Sequence, residues 1–240
     1  MASHFLMEKE GALATLTFNR PEKRNPLNEE ILLELDELLR QLRDDVATRA
    51  LVFTGMGNTF CAGADLSQAK GVTDPFEREK IFAESVPRRT RLVERVLATL
   101  VNLEPITIAA VNGYAVGGGW ALVLGCDVRI AVEEAEFWFP EVDLGAPLSP
   151  SMTAMLTAHV GPARAKEMIL TCRHYTAREL LSLNLLNQVV AKRDLAATVS
   201  TRVDTLVKKK SDPATVSKAT VNALFRSDKV LRPDLLLARD

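Results

Sequence analysis

Three consecutive glycines, Gly117–Gly119, separate two apolar segments, and they constrain the fold more than any other stretch of the chain. The segment before them, Ile106–Val111 (ITIAAV), has the unbroken apolar character of a buried strand. The segment after them, Trp120–Leu124, is predicted to be an apolar helix. A buried strand that is connected by a glycine run to a buried helix indicates an α/β protein.

The rest of the chain fits this class. Residues 1–190 mix strand and helix patterns, and residues 191–240 are mostly helical with charged faces, so we expect an α/β core followed by a helical C-terminal region. A loop plus a helix is expected over residues 66–90. The other expected strands are 12–18, 50–54, 128–132, 137–139 and 188–190, and the other expected helices begin after Asn28 and cover 91–103, 151–159, 162–171 and 176–183.

Composition excludes several classes of function. The net charge of −1 argues against a nucleic-acid-binding protein with a broad basic surface. The three cysteines form no CxxC pair, which favours a reducing compartment. No stretch of 18 apolar residues and no basic-then-apolar leader is present, so we expect a cytoplasmic protein without a membrane partner.

A glycine run at the start of a helix can serve either ligand binding or tight packing. The first-turn N–H groups are unpaired and can hold an anion, or a carbonyl oxygen that becomes one. Two nucleotide-binding alternatives fail. The Walker motif needs a GK[ST] that is absent, and Tyr114 and Tyr175 lack the lysine four residues on that short-chain dehydrogenases use.

A second candidate loop, Asn58–Ala69 (NTFCAGADLSQA), also follows a buried strand. Its small residues leave the main chain accessible, and Asp65 can cap the segment that follows. Two such loops, each at the end of a buried strand, could direct their N–H groups at one point.

Several motifs, in this order along residues 6–192, resemble those of the crotonase superfamily, the enoyl-CoA hydratases and isomerases. They are RPEKRNPLN, FCAGADL, AAVNGYAVGGGWALVLGCDVRIA, FWFPEVDLG and VGPARAKEMILTCRHYTARELLSLNLLNQVV. The resemblance implies a superhelix of stacked ββα turns over residues 1–190 and a C-terminal region, 191–240, used for trimerisation. It also implies homotrimers or hexamers, an acyl-CoA thioester substrate, and no cofactor or metal besides the coenzyme A of that substrate.

The resemblance further assigns an oxyanion hole. The N–H groups of Ala64 and Gly118 would bind the thioester oxygen, and the segment Ala62, Gly63, Ala64, Asp65 and Leu66 would line the path of coenzyme A. Lys23, Arg24 and Lys70 are candidates for contacts with its phosphates, although each could equally be a solvated surface charge.

Hydratases of this family carry two catalytic glutamates, and only one has a counterpart here. The kept position is Glu141, whereas the other position is Ala121. A single base can move a proton from C2 to C4 of an acyl chain, and desolvation should raise its pKa. Together with the segment PEVDLGAPLSPSMTAMLTAHVG, which resembles Δ3,Δ2-enoyl-CoA isomerases, this predicts a shift of the double bond from C3 to C2, with Trp120 and Ala121 keeping water out.

Two alternatives stay open: a hydratase, or another crotonase-type lyase, that works with Glu141 alone, and a non-catalytic acyl-CoA-binding protein. The aromatic residues around the motifs could line an acyl tunnel or belong to the core. They are Trp120, Phe137, Trp138 and Phe139.

Overall fold

The computed structural model describes residues 3–67 and 71–225. Within them the strands are β1 (Phe5–Glu10), β2 (Leu13–Phe18), β3 (Ala50–Gly55), β4 (Thr59–Cys61), β5 (Ile106–Val111), β6 (Tyr114–Val116), β7 (Val128–Val132), β8 (Glu136–Trp138), β9 (Tyr175–Thr176) and β10 (Gln188–Val190). The α-helices are α1 (Glu29–Asp44), α2 (Pro75–Val101), α3 (Gly118–Gly125), α4 (Pro150–Thr171), α5 (Ala177–Ser182), α6 (Leu195–Val207) and α7 (Ser211–Phe225).

The strands form two sheets. The larger sheet has the order β1-β2-β3-β5-β7-β10, and all its pairs are parallel except β1–β2. The smaller sheet has the order β4-β6-β8-β9, and only its β8–β9 pair is antiparallel. In the turns β3-β4-α2, β5-β6-α3 and β7-β8-α4, the first strand joins the larger sheet and the second joins the smaller one. This stacking of ββα turns confirms the expected fold.

The central strands owe their burial to their continuous apolar sequences. In β5, Ile108, Ala109 and Val111 are fully buried between layers, as a parallel strand covered on both faces requires. Helix α1 begins as predicted, because the Asn28 side chain accepts a hydrogen bond of 2.9 Å from the N–H of Ile31. The face of α1 that packs on the core comprises Ile31, Leu32, Leu35, Leu39 and Leu42.

Several elements differ from the sequence predictions. Strand β1 was not predicted, because its outer end is charged and gives little apolar alternation. Strand β4 lies in a stretch predicted as a loop, and no element was predicted over β6, because three residues are too few for a periodic signal. Helix α2 starts at Pro75 and runs without interruption to Val101, so it joins the helix expected within residues 66–90 to the one expected at 91–103. Asp74 caps it, and it continues through Pro87, which sequence rules treat as a helix breaker.

The two helices predicted around residue 160 form one element with a kink. Gly161 has φ of 76° inside α4, directly before Pro162, so the helical segments on either side match the prediction. The described part of the C-terminal region is helical, as expected. Its last helix is held to the core by an ion pair of 2.7 Å between Lys218 and Asp127. In the described ranges, no helix is long and apolar enough to cross a membrane.

Candidate active site

The carboxyl ends of three parallel strands of the smaller sheet meet at one cavity. Residues 62–66 follow β4, residues 117–118 follow β6, and residues 140–141 follow β8. Parallel strands place their carboxyl ends at the same sheet edge, which is where α/β proteins commonly bind ligands. The cavity has a volume of about 280 Å³.

Glycine is required where the first two loops approach each other. A Cβ on Gly63, which has φ of +76°, would lie 2.7 Å from the carbonyl oxygen of Val116. A Cβ on Gly119 would lie 2.6 Å from the carbonyl oxygen of Cys61. Both distances are far below van der Waals contact, so side chains here would force the loops apart. The glycines therefore allow two main-chain segments to share one wall of the cavity.

Two main-chain donors at this wall have no partner in the part of the chain that the structure describes. Leu27 fixes the first loop, because its N–H donates to Gly63 (2.6 Å) and its carbonyl oxygen accepts from Asp65 (2.7 Å). The N–H of Ala64, between them, has no acceptor in the described part of the chain. Gly118 is the first residue of α3, and its N–H likewise has no acceptor among the described residues. Because Ala64 and Gly118 both line the cavity, an oxygen atom bound there could accept from both.

Glu141 lies beside this pair of donors. Its Oε1 is 2.6 Å from the position that a Cβ on Gly117 would occupy, so the carboxyl group packs directly against the glycine loop. Its Oε2 is buried and has no hydrogen-bond partner among the described residues. Burial raises the pKa of Glu141 to about 7, although its own backbone N–H and the charge of Arg89 oppose the shift. Near neutral pH this group can therefore both accept and return a proton.

The remaining wall of the cavity is largely apolar. Its apolar side chains come from α2, α4, the ends of β6 and β8, and the loops; they are Leu27, Leu66, Val86, Val93, Val116, Trp138, Leu144 and Met152. Such a lining suits an aliphatic chain and strengthens electrostatic interactions inside, because little water competes.

The structure brings most of the candidate residues together at this cavity. Those that line it are Ala62, Gly63, Ala64, Leu66, Gly118 and Glu141. Asp65 does not line it. Its Oδ2 lies 3.5 Å from a guanidinium nitrogen of Arg20, and its Oδ1 accepts a hydrogen bond from the N–H of Ser67, as a capping residue does. The side chain of Asp65 therefore braces the loop.

Trp120 and Ala121 do not line the cavity, so the expectation that they keep water from the reacting atoms is wrong. Both are completely buried in the core, where the Trp120 ring packs on Phe137 with 4.7 Å between centroids. Of the four aromatic candidates, only Trp138 contributes to the lining. Helix α3 is apolar and buried, so both side chains pack into the core rather than into the cavity.

The candidate phosphate contacts are only partly described. Lys23 and Arg24 are exposed, and the carbonyl oxygen of Arg24 accepts a hydrogen bond of 3.0 Å from the N–H of Ala62, which places their loop next to the cavity. Lys70 lies outside the described residues. Across residues 3–67 and 71–225, no group of three His, Cys, Asp or Glu side chains could hold a metal ion.

Sequence analysis missed the contribution of α2. Val86, Arg89, Thr90 and Val93 line the cavity, and their spacing of three and four residues places them on one helical face. That spacing was the available signal. It was overlooked because residues 66–90 were expected to hold a loop plus a helix whose bounds, and therefore whose faces, were not assigned.

The family and its relatives agree with this geometry. The family model described as "Enoyl-CoA hydratase/isomerase" matches residues 8–233. The short-chain-enoyl-CoA hydratase of Clostridium acetobutylicum is 35% identical over 229 residues, which cover 94% of this chain and 84% of that protein. The crotonyl-CoA hydratase of Syntrophomonas wolfei is also 35% identical, over 226 residues with the same coverage of both chains.

Solved structures lead to the same family. The crystal structure of an enoyl-CoA hydratase from Bacillus anthracis superposes with a TM-score of 0.82 at 27% identity, covering 92% of this chain and 83% of that one. The enoyl-CoA hydratase of Mycobacterium smegmatis gives 0.81 at 29% identity, with 95% and 86% coverage. The chain therefore belongs to the enoyl-CoA hydratase/isomerase family of the crotonase superfamily and is an enzyme of that family.

Proposed function

We propose that the protein adds water across the C2–C3 double bond of a 2-enoyl-CoA thioester, with Glu141 as its only acid–base side chain. The observation that carries the proposal is a buried carboxyl group, with a pKa of about 7, on the same cavity wall as two unpaired main-chain donors. The names of the relatives support hydration over the double-bond shift that the sequence motifs favoured.

The mechanism follows from these positions. The N–H groups of Ala64 and Gly118 bind the thioester oxygen and stabilise the negative charge that develops on it. Ionised Glu141 takes a proton from water while the water oxygen bonds to C3, and the electrons of the double bond move onto the thioester oxygen. Protonated Glu141 then delivers that proton to C2, which restores the carbonyl group and the carboxylate.

A second candidate function, isomerisation of a 3-enoyl-CoA to a 2-enoyl-CoA, is favoured by the single carboxyl group that the described residues place at the cavity. With Glu141 as the one carboxyl group at the cavity among the described residues, water has a single group to orient it. The same carboxylate could instead take a proton from C2 and return it to C4. The two reactions share the oxyanion donors and the base, and they differ in whether water enters.

The distinguishing experiment measures both reactions. We expect the wild type to hydrate crotonyl-CoA, seen as loss of the conjugated thioester absorbance, and Glu141→Gln to lower kcat by about 10²- to 10⁴-fold. Asp143→Asn is the matched control, because Asp143 is an exposed carboxylate two residues away that does not line the cavity. It should leave the rate unchanged.

Each other result selects an alternative. Conversion of trans-3-hexenoyl-CoA without hydration of crotonyl-CoA would establish isomerisation. Binding of both thioesters without turnover, unaffected by Glu141→Gln, would show an acyl-CoA-binding protein.

We also propose the wider setting of this activity: a cytoplasmic homotrimer or hexamer, assembled through residues 191–240 and needing no cofactor beyond the coenzyme A of its substrate. Support comes from α7, on which Val216 and Val221 are exposed apolar side chains available to a neighbouring subunit. Light scattering after size exclusion should give the mass of a trimer or hexamer, and a monomeric mass would overturn the assembly.

A further inference from the structure

Arg89 is a cation at the cavity that makes no ion pair or hydrogen bond with the described residues. It projects from α2, is half-buried, and lines the cavity that holds Glu141. No described residue accepts a hydrogen bond from it or forms an ion pair with it. The neighbouring Arg88 differs: it is 66% exposed, lies away from the cavity lining, and pairs with Glu29 at 2.9 Å. A paired surface arginine and an unpaired cavity arginine thus stand side by side.

Holding this guanidinium in an apolar cavity has an electrostatic cost. Burial lowers the pKa of Arg89, and the attraction of Glu141 and Glu29 offsets only part of that effect. The guanidinium group keeps five N–H donors, arranged in a fork that matches the two oxygens of a carboxylate. A bound anion would supply acceptors that the described part of the chain does not.

Glu141 is not that anion. Its carboxyl group makes no contact with Arg89 short enough to count as an ion pair, and the proposed reaction requires it at C2 and C3 of the acyl chain. The two groups nevertheless line the same cavity. The missing acceptor is therefore expected on the substrate.

The position of Arg89 favours the acyl end of that substrate. In the proposed complex the oxyanion donors would fix the thioester group, and an acyl chain extending from it into the cavity would meet the lining residues Val86, Arg89 and Val93. The phosphates of coenzyme A are separated from the thioester by the whole pantetheine arm, and they are most stable in solvent. A carboxylate at the far end of a short acyl chain would instead enter the same cavity.

We propose that Arg89 binds a carboxylate on the acyl chain, so that the preferred substrate is an enoyl-CoA thioester with a carboxylate at its far end. This inference rests on the proposed function and specifies its substrate class. In such a complex the guanidinium group also offsets the repulsion between the substrate carboxylate and ionised Glu141, which would otherwise hinder binding.

The test compares a charged and an uncharged substrate of similar length, glutaconyl-CoA and trans-2-hexenoyl-CoA. We expect the wild type to prefer glutaconyl-CoA in kcat/KM, and Arg89→Met to lower that value by about 10- to 100-fold, mainly through KM. Hexenoyl-CoA should lose less, because it shares only the effect of the lost charge on the pKa of Glu141, so the ratio of kcat/KM for the two substrates is the readout. Arg88→Met is the matched control and should preserve the preference, while Arg89→Lys should retain part of it because a point charge replaces the fork.

Three results would overturn the inference. The first is a wild type that does not prefer the carboxylate substrate, and the second is a loss of that preference in Arg88→Met. The third is an equal loss of kcat/KM on both substrates in Arg89→Met, which would indicate a contact with coenzyme A phosphates or an effect on Glu141. Titration calorimetry with the unreactive glutaryl-CoA and hexanoyl-CoA separates this question from hydration. Tighter binding of glutaryl-CoA that disappears in Arg89→Met would support Arg89 even if no thioester is turned over, and equal affinities in the wild type would refute it.

Discussion

Replacing Glu141 by glutamine should make the protein more stable at alkaline pH. Burial raises the pKa of this carboxyl group from 4.5 to about 7 in the folded state. Below pH 4.5 the group is protonated in both the folded and the unfolded chain and contributes nothing to the difference. Between pH 4.5 and 7 only the unfolded chain releases the proton, so the free energy of unfolding falls as the pH rises. Above pH 7 the full cost is present.

The size of the effect follows from the shift. Each pKa unit corresponds to about 1.4 kcal/mol, so a rise from 4.5 to about 7 costs about 3 kcal/mol when the group is ionised. Because Glu141 is only half-buried as a whole residue, solvent screening reduces this to about 2 kcal/mol. Glutamine keeps the shape of the side chain and never ionises. The variant should therefore match the wild type near pH 4.5 and exceed its unfolding free energy by about 2 kcal/mol at pH 8.

Urea unfolding at fixed protein concentration, followed by tryptophan fluorescence at several pH values between 4.5 and 8, measures this difference directly. Asp143→Asn is again the control, since an exposed carboxylate should give no pH-dependent difference. The reasoning is refuted if the difference between Glu141→Gln and wild type stays constant with pH, or if the wild type gains stability relative to the variant as the pH rises.

The catalytic rate should depend on the same ionisation. We expect kcat/KM for crotonyl-CoA to rise about tenfold per pH unit up to about pH 7 and then to level off. A flat profile from pH 5 to 8 would exclude Glu141 as the base. Gly119→Ala should lower kcat for crotonyl-CoA by about 100-fold or more, because the new Cβ would lie 2.6 Å from the carbonyl oxygen of Cys61 and push the two oxyanion loops apart. Full activity in steady-state kinetics would contradict that packing. Burial raises the pKa of the Cys61 and Cys126 thiols to about 12. Iodoacetamide at pH 8 should therefore label neither thiol in the native protein and all three cysteines after denaturation, as counted by mass spectrometry. Rapid labelling of either thiol in the native protein would be inconsistent with the structure.

The glycine loop and the Pro140-Glu141 segment could be recognised from sequence because their function depends on local features. A close approach of two backbones needs glycine at fixed positions, and the proposed base lies just after a short strand. Both features therefore produce motifs of a few adjacent residues. The fold was accessible for the same reason, since each ββα turn carries its own motif.

The contribution of Arg89 could not be found in this way. It depends on a helix of 27 residues that runs through Pro87 and a polar stretch, and on which face of that helix meets the cavity. The orientation of Trp120 was equally hidden. A large apolar residue after a glycine run has the same sequence pattern whether it packs inward or lines a site, and only the packing of Phe137 against its ring decides between them.

Because β4, β6 and β8 end side by side, the proposed catalytic roles fall to two kinds of groups, main-chain N–H groups and side chains. The groups proposed to bind the thioester oxygen are peptide N–H groups, set by backbone geometry and largely indifferent to which side chains stand nearby. The proposed proton-handling group is a single side chain on a different strand end, and the group that we infer to select the substrate is a single side chain on a helix. Point mutations at positions 89 or 141 are therefore expected to redirect the outcome of the reaction without rebuilding the main-chain site for its anionic intermediate. A scaffold of this kind can acquire a new reaction in small steps, each taken by a protein that still binds and activates a thioester.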